Sequence, residues 1–97
     1  MEFRQKPKAP SVPPPSKKPS KPSKPSAGLF LLSSGEAVTP CLHKLTYVWL
    51  TSGSEGWMYP IYTDSTTVGG YMWNEFSRRY FYITIDAKNI DVVTCDI

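Results

Sequence analysis

Between residues 79 and 85 apolar and polar side chains alternate strictly. Phe81, Ile83 and Ile85 fall on one side, with Tyr80, Tyr82 and Thr84 on the other. A period of two is that of a half-buried β-strand. Similar segments recur along the second part of the chain. Residues 45–50 (Leu-Thr-Tyr-Val-Trp-Leu) are dense in β-branched and aromatic residues and stop at a Thr-Ser-Gly-Ser turn. Residues 57–62 follow, with Pro60 predicting an edge strand or a bulge, because proline donates nothing to a ladder. Residues 66–73 form the next strand, and Gly69-Gly70 mark a sharp bend in it. Asn74-Glu75-Phe76-Ser77 turns the chain into residues 79–85. Residues 86–89 read as a turn or a single 3₁₀ turn, and residues 90–95 close the series.

Earlier in the domain, Leu29-Phe30-Leu31-Leu32 is a short apolar run ended by a Ser-Ser-Gly-Glu hairpin turn. Ala37-Val38-Thr39 returns as a strand that Pro40 terminates. No stretch has helical periodicity of any length. Five to seven short strands divided by turn signals predict an all-β domain. At this size a small SH3-like or Sm-like barrel fits best, and a short turn before the last strand suits that topology. An OB-fold would call for a helix that the pattern lacks.

Residues 1–26 have no such pattern. They hold 8 of the 10 prolines, 7 of the 11 basic residues and one acid, a charge of about +6. Residues 27–97 hold four basic residues and seven acids, about −3. The chain therefore divides into a cationic Pro-rich arm, 1–26, and a mildly acidic domain, 27–97. Proline fixes φ and removes donors, so the arm is expected to be disordered, with extended polyproline II stretches. Lys18-Pro19-Ser20, Lys21-Pro22-Ser23 and Lys24-Pro25-Ser26 repeat one triplet. With three residues per turn, Lys18, Lys21 and Lys24 align on one edge, roughly 9 Å apart. Lys17 adds a neighbouring charge. Such a row suits a polyanion, whether nucleic acid, teichoic acid or an acidic protein face, and a plain soluble tether is the alternative. Residues 4–10 and 19–24 match the proline patterns that SH3 domains bind, as chance allows in so Pro- and Lys-rich a stretch.

A domain of 71 residues buries only about 60% of its unfolded surface, so its core is small. Cys41 and Cys95 lie near its two ends. They are free buried thiols if the chain stays in a reducing cytoplasm, or a disulfide if it does not. No apolar run approaches the ~20 residues of a membrane span. Residues 1–6 are basic but lead into Pro and Lys rather than an apolar core, so no secretory signal is read. The expected location is cytoplasmic.

Little in the domain suggests chemistry. His43 is the only histidine. Cys41-Leu42-His43 would put a thiol and an imidazole on one face of a strand, but a zinc site needs three or four ligands. Gly69-Gly70 precedes no helix and is no phosphate loop. The expectation is a chain that is not an enzyme, with no cofactor and no metal.

The aromatic content is what stands out. Twelve rings lie in the domain, and alternation sends about half of them to each face of the sheet. A small barrel has one interior, so several rings must lie outside it. Tyr80, Tyr82, Tyr71 and Trp73, with Arg78 and Arg79 beside them, are the expected partner-binding group. Exposed rings stack on bases or sugars, bury against another subunit, or pair across strands. The preferred expectation is a protein partner or a homo-oligomer held through the aromatic face, with Lys17, Lys18, Lys21 and Lys24 tethering an anionic partner. The alternative is nucleic acid, with those lysines, Arg78 and Arg79 on phosphates and Tyr80 and Tyr82 stacked on bases.

Residues 29–95 also resemble a group of short, uncharacterised all-β proteins of spore-forming Gram-positive bacteria. The likeness lies in Ser34-Gly35, Pro40, His43, Thr46-Tyr47-Val48-Trp49-Leu50, Trp57-Met58-Tyr59-Pro60, Gly70-Tyr71-Met72-Trp73 and Ile85-Asp86. The resemblance implies no activity. It implies a setting, incorporation in a spore structure.

Overall fold

The computed structural model describes residues 8–21 and 37–95. The described residues form five strands: β1 (Thr46–Leu50), β2 (Glu55–Thr63), β3 (Thr67–Asn74), β4 (Arg79–Asp86) and β5 (Ile90–Thr94). All pair antiparallel in one sheet, in the order β4-β3-β2-β1-β5. The domain is all-β, as its alternation predicts. Residues 29–36, read as a strand and hairpin turn, lie outside the described residues.

Topology dictates that this sheet is curved. β4 and β5 are opposite edges, four inter-strand spacings apart, which is roughly 19 Å in a flat sheet. They are joined only by the 3₁₀ turn Ala87–Asn89. A turn of that length advances about 6 Å. The sheet must therefore curl until its edges approach, in the strand order and with the closing 3₁₀ turn of an SH3-like barrel. Two hydrogen bonds anchor the closure: Ala87 N–H donates to the Thr66 carbonyl, and Thr51 N–H to the Asn89 carbonyl, at 2.9 and 2.8 Å.

β2 is a central strand, so Pro60 marks a bulge and not an edge. The β2–β3 register shifts between Pro60 and Tyr62. Opposite it Gly70 is required, because a Cβ there would lie 2.4 Å from the Tyr59 carbonyl oxygen. At the β2–β3 turn, Asp64 Oδ1 accepts from the backbone of Thr66 and Thr67, and Oδ2 accepts from the Tyr62 hydroxyl. The Tyr62 hydroxyl, then those amides, hold the Asp64 carboxyl down at about 2.

The strand expected over residues 37–39 is corrected. Ala37 and Val38 have helical backbone, and Thr39–Cys41 form a 3₁₀ turn with Pro40 in its first positions. Proline's fixed φ suits the start of a helical turn, where its missing N–H is no loss. This segment places Val38 over the inner face of the sheet, where Val38, Val48, Met58, Val68 and Ile90 form a buried cluster ringed by Leu50, Met72, Ile85 and Val93. Phe81, expected inside with Ile83 and Ile85, is 45% exposed. Among the described residues β4 pairs with β3 alone, and the outer half of its face is left open at Phe81.

Cys41 and Cys95 are joined by a disulfide with a Cα–Cα distance of 5.6 Å. The pairing goes against the free buried thiols that a reducing cytoplasm favours and takes the other alternative. The bond ties the 3₁₀ turn that follows Val38 to the end of β5.

Candidate functional site

The outer face of the sheet carries a second buried cluster. Because side chains alternate, Tyr47 and Trp49 point away from Val48, and Trp57 points away from Met58. In the β1–β2 register Tyr47 lies opposite Trp57, and in the β1–β5 register Trp49 lies opposite Val92. In the β3–β4 register Trp73 lies opposite Tyr80. Tyr47, Trp49, Trp57 and Trp73 form one cluster, with Leu45, Tyr80 and Val92 packed against it. Edge-to-face contacts join Tyr47 to Trp49 and to Trp57, and Trp73 to Tyr80, at centroid distances of 4.8, 5.0 and 4.9 Å. Pairs of this geometry add about 0.5–1.5 kcal/mol beyond their buried area. The result is an aromatic stripe that crosses the sheet from β4 to β5.

These rings would be open to water on the convex side of a lone sheet, yet the four members of the cluster are only 4–8% exposed. Part of the arm lies against this face of the sheet. Tyr80 donates its hydroxyl hydrogen bond to the Val12 carbonyl at 3.0 Å. Lys18 Nζ is 3.2 Å from Glu55 Oε2, and Lys21 Nζ is 2.7 Å from Asp91 Oδ2. Lys18, Pro19, Ser20 and Lys21 line one groove with Trp49, Leu50 and Glu55. The segment therefore runs from β4 at Val12 to β5 at Lys21, across the strands and along the stripe. Nine residues of polyproline II advance about 28 Å, enough for that path over a curved surface. Residues 8–21 contain no helix or strand. A chain lying across strands cannot join their ladder, and one rich in proline has few donors to leave unpaired.

Electrostatics at the rim follow from these contacts. Tyr47 donates to Glu55 Oε2 at 2.8 Å. Burial first, and then this bond to a carboxylate, push the Tyr47 phenol up to about 12. The same hydroxyl, then Lys18, holds the Glu55 carboxyl below its usual range. Burial alone raises Tyr80. Glu55 thus links a ring of the stripe to a cation of the arm.

At the β3–β4 turn Arg78 sits at φ 58° with its guanidinium 5.1 Å from the Trp73 ring centroid. Glu75 accepts from Trp73 Nε1 at 3.1 Å and from Arg78 at 3.2 Å. Phe76, at the tip of this turn, is 99% exposed.

The residues expected to form the partner-binding group divide in two. Trp73 and Tyr80 belong to the stripe, with Arg78 covering its β4 end. Tyr71 and Tyr82 form a separate pair, centroids 5.4 Å apart, with the Tyr82 hydroxyl 2.7 Å from where a Cβ on Gly69 would be. Arg79 is exposed at the start of β4, opposite Asn74. Of the arm lysines, Lys18 and Lys21 meet carboxylates, Lys17 is exposed, and Lys24 lies outside the described residues. Tyr47, Trp49, Trp57, Glu55 and Asp91 were not anticipated. Alternation around Val48 does put Tyr47 and Trp49 on one face, which was the available signal.

The thiol–imidazole pair considered for residues 41–43 is not formed. Cys41 is in the disulfide, and His43 has a left-handed backbone at φ 62° with its N–H on the Pro60 carbonyl. Among the described residues no group of His, Cys, Asp and Glu has the arrangement of a metal site, and no helix is long and apolar enough to cross a membrane. Comparisons with protein-family models, with curated proteins and with solved structures find no match to this chain.

Proposed function

We propose that this chain is a non-enzymatic protein-interaction module whose outer aromatic face receives an extended, proline-rich, cationic stretch of polypeptide. The observation that carries the reading is the path of residues 12–21 across the outer face, from the Tyr80–Val12 bond to the Lys21–Asp91 pair. The physics suits such a ligand. Proline-rich chain is already extended, so little conformational freedom is lost on docking. Flat rings offer apolar contact without demanding backbone donors, and Glu55 and Asp91 select for positive charge at the rim.

The arm's lysines then act on an acidic protein surface, and the anionic partner expected from their charge is of that kind. The nucleic-acid alternative draws no support here, since Lys18 and Lys21 are engaged by carboxylates and Arg78 by Glu75. The Cys41–Cys95 bond favours a setting that oxidises thiols over a reducing cytoplasm. That is compatible with the spore structure implied by the resemblance.

A synthetic peptide of residues 8–21 tests the reading against full-length K18E/K21E protein, whose own arm is repelled from the rim. The peptide is expected to blue-shift and saturate the tryptophan emission. The binding should weaken with salt, and Trp49→Ala should remove it. An emission spectrum indifferent to the peptide, in protein shown to be folded by near-UV circular dichroism, would sink the reading.

A further inference from the structure

The arm and the aromatic face are different surfaces, and every copy of the chain carries both. We propose that the arm exchanges between molecules, so that residues 8–21 of one copy dock on the face of a second copy and the chain assembles head to tail. This rests on the function proposed above and adds the identity of the partner.

Three observations carry it. First, the contacts are those of separable surfaces. Among the described residues the arm is held by no strand pairing and no covalent bond, and the Lys18 and Lys21 side chains are 65% and 48% exposed. Second, the charges are complementary between any two copies. Residues 8–21 hold Lys8, Lys17, Lys18 and Lys21 and no acid, whereas Glu55 and Asp91 stand on the rim. Third, the connection does not dictate which face is used. Fifteen positions, 22–36, lie between Lys21 and Ala37 in the sequence, an upper limit of ~50 Å of chain, against roughly 19 Å for the flat width of the five-stranded sheet. The same segment can therefore span its own domain or a neighbour's.

A contact between unlike surfaces is heterologous, so it builds open chains or closed rings and not only pairs. Docking within one molecule benefits from an effective concentration in the millimolar range. Closed single copies accordingly prevail in dilute solution. Exchange takes over when copies are crowded or when docking within the molecule is blocked.

Charge reversal in full-length protein separates these states. In K18E/K21E the contacting positions of arm and rim are both acidic, and in E55K/D91K both are basic, so neither variant can form these pairs within itself or with its own kind. Mixed in equal amounts, each arm meets a rim of opposite sign on the other variant. Each variant alone is expected to have the mass of one copy by light scattering, and the mixture at least twice that mass, reverting in molar salt. Combining all four substitutions in one chain restores closure and the single-copy mass. Because Glu55→Lys also removes the acceptor of Tyr47, the mixture is repeated with K21E and D91K, which leave that bond intact. A mixture that keeps the single-copy mass at every concentration, while the peptide of residues 8–21 still binds K18E/K21E, overturns exchange and leaves the proposed function standing. Failure of the peptide as well overturns both.

Discussion

The two faces of the sheet are closed by different means. On the inner face, aliphatic side chains from β1, β2, β3 and β5 meet each other and Val38, and the Cys41–Cys95 bond holds that lid in place. On the outer face, rings cover a comparable stripe, and among the described residues two ion pairs and one hydrogen bond tie the strap to it. β5 serves both closures, with Cys95 just beyond its end and Asp91 within it. The contrast separates two roles. A covalently closed aliphatic face supplies stability that does not depend on solution conditions, whereas a face closed by weak, charge-dependent contacts can be opened and reused.

The largest expected effect tests the covalent side. Replacing Cys41 and Cys95 together by Ser is expected to lower unfolding stability by about 4 kcal/mol, the loop-closure value for residues 54 apart. Urea denaturation measures it, and the salt response of tryptophan emission should not change. An unaltered midpoint would remove the disulfide from the account of the inner face.

Next comes the packing of that face. Met58 is 1% exposed, and Met58→Ala is expected to cost about 3 kcal/mol through a cavity that β1 and β3 cannot fill. The loss should be the same in low and high salt. A strongly salt-dependent loss would mean that the two faces are not independent.

The outer strap should respond in the opposite manner. K18E/K21E is expected to leave the urea midpoint of the barrel nearly unchanged, since exposed pairs contribute little. It should nonetheless red-shift tryptophan emission and open residues 8–21 to proteolysis. Collapse of the whole domain on this substitution would erase the distinction between strap and barrel.

The smallest effects are in pH. The Glu55 carboxyl is lowered in the folded chain, so its contribution is complete above the ordinary glutamate value near 4.3 and fades as pH falls through the folded value. Acid should therefore loosen the strap, and Glu55→Gln should blunt that response. Tyr47 is shifted the other way, to about 12. Its contribution is present below the ordinary tyrosine value near 10 and is lost as pH rises through about 12. An ultraviolet titration should show a late-ionising phenol, and it should move down in the Glu55→Gln variant. No change there would mean that burial alone, without the carboxylate, holds the proton.

Much of the barrel was legible along the chain. Alternation located β1 to β5, and the residues after Ile85 announced the closing 3₁₀ turn. Ala37 to Thr39 misled, because Val38 and Thr39 read as strand while Pro40 opens a 3₁₀ turn in its first positions. Pro60 was legible as an irregularity, but only pairing on both sides of β2 makes it a bulge. The aromatic face was visible as an excess of rings, and Trp73, Tyr80 and Arg78 were placed on it. Tyr47, Trp49 and Trp57 were missed as its centre, while Tyr71 and Tyr82 proved to be a separate pair. Alternation says which rings share a face within one strand. It does not say which rings meet across strands, since that depends on register, bulges and curvature.

The residues in order were enough to determine an all-β domain with more rings than its interior holds and a cationic arm of opposite charge. Those properties are local: a period of two, turn-forming residues at intervals, and a shift in composition. Only the folded arrangement decided that Cys41 meets Cys95, that Lys18 and Lys21 meet Glu55 and Asp91, and that the arm follows the ring stripe. Such meetings join residues tens of positions apart, and each is stabilised by the closure of the whole sheet rather than by anything written beside it in the chain.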